Sequence, residues 1–153
     1  MYHDGQADLF SEKYTEAAIH FQEAAEAATT DRYRLHSQIF YAECLFYLGD
    51  PSGAKALLDA VLADPWITAD MNGPYTRMVA AEVYATILTN QAGIDAAIAY
   101  RSQTIDELLP LDLVPDILAD LYRENARAEV WRGDHAAAAV WYDRIFADLP
   151  HYG

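Results

Sequence analysis

A chain of 153 residues that is 53% apolar can bury one sizeable core, and its formal charge of −14 argues against two classes of partner. Nucleic acid and anionic membrane surfaces are both gripped by clustered Lys and Arg, and this chain has only Lys13 and Lys55 for lysines. No apolar run approaches the eighteen or so residues of a membrane span, and a single cysteine, Cys44, excludes an internal disulfide framework.

In chain order, the pattern predicts helices only. Residues Tyr2–Phe10 and Thr15–Ala28 form a first pair around a turn at Ser11–Tyr14. Thr29, Thr30 and Asp31 then supply capping oxygens for a helix from Asp31 to Leu48. Gly49-Asp50-Pro51 breaks the chain, with Gly49 suited to a left-handed C-cap and Pro51 to an early helical position, and a helix follows from Ser52 to Ala63. Asp64–Tyr75 holds Pro65, Asn72, Gly73 and Pro74 and reads as the longest irregular segment. The third pair is Tyr75–Asn90 and Ile94–Leu109, ended by the two prolines of Leu109–Pro115. The fourth is Asp116–Arg132 and His135–Leu149. That makes eight helices, all-α, in one domain with units near 1–30, 31–66, 74–110 and 115–150.

The phrase WRGDHAAAAVWYDRIFADLP (Trp131–Pro150) has an earlier counterpart in LGDPSGAKALLDAVLADP (Leu48–Pro65), with weaker copies at Ser11–Ala27 and Asn90–Pro110. The small residue after each turn is Ala17, Ala54, Ala97 and Ala138, at steps of 37, 43 and 41 residues, a period that indicates stacked helix pairs. Twelve residues upstream of each stands a second small residue: Gly5, Ala42, Ala85 and Ala126. Small side chains at both places let two helices approach, and bulky ones would cost roughly 1–3 kcal/mol each.

These residues resemble the tetratricopeptide repeat, a helix–turn–helix unit of about 34 residues. The fourth unit carries the pattern most fully, with Tyr122, Ala126, Gly133, Ala138, Tyr142 and Pro150. The second has Ala42, Gly49, Ala54, Leu58 and Pro65. The first has Gly5, Tyr14, Ala17, Phe21 and Ala24 but no glycine at its turn. The third keeps Ala85 and Ala97 but has Arg101 where an apolar residue is usual. The resemblance implies a right-handed α-solenoid of four units whose first helices line a concave groove.

Projecting that face gives the expected site: Tyr2 and Gln6, then His36, Ile39, Phe40, Glu43 and Tyr47, then Glu82, Thr86 and Asn90, then Arg123, Arg127 and Trp131. Arg123 and Arg127 share one helix face. They form either an anchor for a carboxylate or two intrahelical salt bridges, Arg123 with Asp120 or Asp116 and Arg127 with Glu124. The Lys, Asn, Asn, Lys, Arg set with which some family members grip a peptide carboxylate is not present. Glu43 and Glu82 are expected to face each other and could receive a basic peptide. No nucleophile, phosphate loop or metal-spaced cluster accompanies them, so neither catalysis nor a cofactor or metal is expected. The five histidines are scattered, Cys44 reads as core, Trp131 and Trp141 as packed between helices, and Trp66 as a residue of the long loop, either tucked under it or offered to a partner. Ala139, Tyr142, Phe146 and Leu149 point to where a next unit would pack, an apolar face that implies either a homodimer through the last helix or continuation in a longer array. The functional expectation is a non-catalytic protein- or peptide-binding scaffold in the cytoplasm; the alternatives are the sensing module of a larger regulator and a secreted form whose signal has been removed.

Overall fold

In a computed structural model, residues 1–111, 113 and 115–152 are described; Asp112 and Val114 of the expected connector, and the final Gly153, lie outside them. Among the described residues there are nine α-helices, one 3₁₀ turn and no strand: α1 Tyr2–Phe10, α2 Tyr14–Ala27, α3 Asp31–Tyr47, α4 Pro51–Leu62, α5 Trp66–Ala69, α6 Gly73–Ala92, α7 Ile94–Leu108, the turn Leu109–Leu111, α8 Pro115–Trp131 and α9 His135–Asp148. The ninth helix corrects the expectation of eight. Asp64–Tyr75 is not wholly irregular: it holds the single turn of α5, with Pro65 at its N-cap, and Asp64 Oδ1 accepts the Trp66 amide at 2.9 Å in an Asx turn that leads into it.

Local chemistry explains the helix boundaries. Thr30 Oγ1 accepts the Tyr33 amide at 3.3 Å to open α3. Asp50 Oδ1 accepts the Gly53 amide at 2.9 Å, with Pro51 at the first helical position, to open α4. Asp134 Oδ1 accepts the Ala137 amide at 2.9 Å to open α9. The turns before α4 and α9 hold Gly49 at φ 91° and Gly133 at φ 85°, in the left-handed region that L side chains avoid. The turn between α1 and α2 does the same with a glutamate, Glu12, at φ 59°.

The chain divides into two compact units, Met1–Ile87 and Leu88–Gly153. In the first, α1 packs on α2, α2 on α3 and α3 on α4. Its larger core joins Leu35, Ile39 and Ala42 of α3, Ala54, Leu58 and Val61 of α4, Ile67 of α5, and Ala80, Val83 and Ile87 of α6. Trp66 is half-buried against this core, tucked in rather than offered outward. A smaller core joins Ala17, Ala18 and Phe21 of α2 to Cys44 of α3, with Tyr2, Leu9, Phe40 and Tyr41 around it. Cys44 is fully buried there, and burial pushes its thiol up to about 12. A methyl group built on Gly5 would lie 3.0 Å from two Phe21 ring carbons, so α1 rests directly on that ring.

In the second unit α7 packs on α8 and α8 on α9, burying Ala97, Ile105, Leu121, Tyr122, Ala126 and Ile145 among others. The Tyr122 hydroxyl donates to Asp148 Oδ2 at 3.0 Å. Arg101 holds an interior position at 7% exposure, and its Nη1 donates to Asn125 Oδ1 at 3.5 Å. All eight small residues of the two sequence rulers are buried.

Candidate functional site

The first unit carries an open cup of about 490 Å³, lined by Gln6, Leu9 and Phe10 of α1, Glu12 of the following turn, Tyr14 of α2, and Phe40, Glu43 and Tyr47 of α3. Four residues of the expected groove therefore meet here, Gln6 of α1 with Phe40, Glu43 and Tyr47, the last three from α3. Phe40, Glu43 and Tyr47 lie on α3 at three- and four-residue steps, which puts them on one helix face. The Tyr14 and Tyr47 rings stack at 4.6 Å with 17° between their planes, and Phe40 stacks on the buried Phe21 at 5.5 Å. Phe10, at 93% exposure, stands at the rim.

Two carboxylates face these rings. Glu43 is half-buried, and its desolvation raises its pKa above the usual carboxylate value. Tyr47 and Tyr14 are also raised, first by burial and then by the nearby glutamates. Every one of these shifts disfavours a further negative charge. None of the lining residues is basic. Aromatic faces and carboxylates together form a surface complementary to a cation.

The remaining expected groove residues divide among other environments. Ile39 is fully buried in the core and has no surface for a partner, which corrects its place in the groove. His36 lines a separate pocket of about 220 Å³ with Tyr2, Arg32 and Tyr33. Its Nε2 lies 2.8 Å from Thr76 Oγ1, and burial, then Arg32, holds its pKa below the ordinary value. Glu82 and Thr86 are half-buried on α6, where the Thr86 hydroxyl donates to the Glu82 carbonyl at 3.0 Å, and Glu82 is not among the residues lining the cup with Glu43.

In the second unit, Arg123 and Arg127 do not act together. Arg123 pairs with Asp120, donates to the Tyr152 hydroxyl and stands over the Tyr152 ring at 5.8 Å. Arg127 pairs with Glu124. Both intrahelical pairs foreseen as the alternative to an anchor are present. Arg127 instead shares a pocket of about 300 Å³ with Arg101, Trp131, Glu124 and Thr89, while Asn90 is exposed beside Thr89. Trp131 is 87% exposed at the last position of α8, which corrects the expectation that it packs between helices. Trp141 is half-buried, its ring 6.1 Å from Tyr122 and 4.7 Å from the Arg144 guanidinium.

On α9, Ala139, Tyr142 and Phe146 are exposed, as expected of an open face, and Val140 joins them. Leu149 does not. It is buried at 7% exposure beside Leu109, Leu113, Pro115 and Leu118, because the chain after α9 turns it toward the start of α8. Among the described residues no group of three or more His, Cys, Asp or Glu could hold a metal ion, and no helix is long and apolar enough to cross a membrane.

Projection of the first helices alone could not find Glu12 or Tyr14 in the cup, since they come from the turn and α2; Phe10, four residues after Gln6 on α1, lies on the projected face and was missed there. The missing turn glycine was the one signal in the sequence that marked Glu12. No protein-family model matches this sequence, and no curated protein matches it.

Proposed function

We propose that the chain is a non-catalytic scaffold of four tetratricopeptide-like helix pairs that binds a protein or peptide segment. The reading rests on the cup, in which Phe40, Glu43 and Tyr47 on one face of α3 combine with aromatic residues of α1 and α2. Tyrosine and other aromatic side chains supply contact area at little entropic cost and dominate binding hot spots. The burial of all eight small residues supports the pairing of helices that the family resemblance implies. The charge of −14 disfavours nucleic acid and anionic lipid as partners.

The test is selection from a display library of random peptides, with wild type and the double variant Tyr14→Ala, Tyr47→Ala compared side by side. Wild type should enrich peptides that the variant does not retain. Enrichment equal on both, or none on wild type, would refute the reading.

A further inference from the structure

We infer that the cup of the first unit receives a cationic side chain, arginine or lysine, from the partner segment. This inference rests on the peptide-binding reading above and names the chemistry of the residue bound.

The cup has the two elements that recognise an organic cation. One is a set of aromatic faces, with Tyr14 and Tyr47 stacked at 4.6 Å and Phe40 beside them. The ring quadrupole attracts a cation placed over it, more strongly when water is excluded. The other is a pair of carboxylates, Glu12 and Glu43, with no basic residue lining the space between. At about 490 Å³ the cup falls within the range of specific small-group pockets.

Both carboxylates are held at some expense to the fold. Glu43 is half-buried, and its raised pKa is caused by desolvation, which an incoming ammonium or guanidinium would offset. Glu12 sits at φ 59° in the conformation that glycine takes at Gly49 and Gly133. A glycine there would serve the turn better. The glutamate instead sets a carboxylate on the cup rim. An arginine would present its apolar stem to Leu9 and Phe10 and its planar fork to the carboxylates, and a lysine a point charge.

The probe is a set of short capped peptide pools with a central Arg, Lys, Gln or Glu in otherwise random neutral sequence, applied near physiological ionic strength to the full chain and to Glu12→Gly and Glu43→Gln. Wild type should retain the Arg and Lys pools at least about tenfold better than the Gln pool, a difference of about 1.4 kcal/mol. Each variant should lose that preference while retaining the Gln pool as before. Glu12→Gly should also raise the melting temperature, so that binding and stability move in opposite directions, which a purely structural role for Glu12 would not produce. Equal retention of the Arg, Lys and Gln pools by wild type would overturn the inference and leave peptide binding standing. Persistence of the preference in both variants would assign it to the overall charge and overturn the inference as well. No retention of any pool would refute peptide binding itself.

Discussion

Substitution of Gly5 by alanine sets helix propensity against packing, and the structure decides the sign. Gly5 lies inside α1, buried, where alanine would favour the helix by about 1 kcal/mol. The added methyl would stand 3.0, 3.0 and 3.1 Å from Cδ1, Cε1 and Cζ of Phe21, closer than carbon atoms normally pack. Phe21 cannot yield easily: it is fully buried, stacked on Phe40 at 5.5 Å and edge-on to Tyr2 at 5.8 Å. Overpacking of this kind costs about 1–3 kcal/mol. The net expectation is a loss of about 1 kcal/mol, which lowers a urea midpoint by roughly half a molar. Chemical denaturation followed by far-ultraviolet circular dichroism measures it. In a Phe21→Leu background the ring is gone, and Gly5→Ala should become stabilising by about 1 kcal/mol. A Gly5→Ala variant more stable than wild type with Phe21 intact would refute the close approach of α1 to that ring.

Ala54→Leu and Ala138→Leu should each destabilise by roughly 1–3 kcal/mol because both positions are closed, whereas exposed Ala63→Leu should change little; equal effects at all three in denaturant titrations would refute the helix-pair register. Glu43→Gln should raise stability at neutral pH. Burial lifts the Glu43 pKa above its unfolded value, so the folded state holds the proton longer and ionisation weakens the fold as pH rises through the folded pKa. The gain should fade as pH falls to the ordinary carboxylate range, because the desolvation that Gln relieves falls on the ionised form of Glu43 alone; Tyr14, Tyr47 and Cys44 around it stay protonated there, and Glu12 lines the same cup. Melting curves across that pH range check the sign, and a pH-independent gain would show that packing rather than charge is responsible.

Much of the helical framework was legible in the residues. The bounds of α1 to α4 and of α7 to α9 fall within a residue or two of expectation, because caps such as Thr30, Asp50 and Asp134 and turns such as Gly49 and Gly133 act on their immediate neighbours. The eight small residues were marked as interior by spacing alone, since a helix that packs at short distance must present a small side chain where its axis crosses the next. Segment Asp64–Tyr75 was harder, because its breakers also permit the single turn that follows the Asx turn of Asp64.

The candidate site was legible only in part. Helical periodicity puts Phe40, Glu43 and Tyr47 on one face, but it cannot say that Phe10, Glu12 and Tyr14 close the other side, because that depends on how α1 and α2 fold back on α3. Periodicity likewise treats Trp131 and Leu149 as similar apolar residues near helix ends. Tertiary structure separates them: Trp131 is left exposed at the end of α8, while the segment after α9 returns Leu149 to Leu118. The same holds for Arg123 and Arg127, four residues apart on one helix yet divided between Tyr152 and the pocket of Arg101 and Trp131. Local sequence determines which backbone groups are capped and which faces are apolar. Which face is covered, and which charged group is left beside which aromatic ring, is decided by residues distant in the chain, through packing that no single helix encodes.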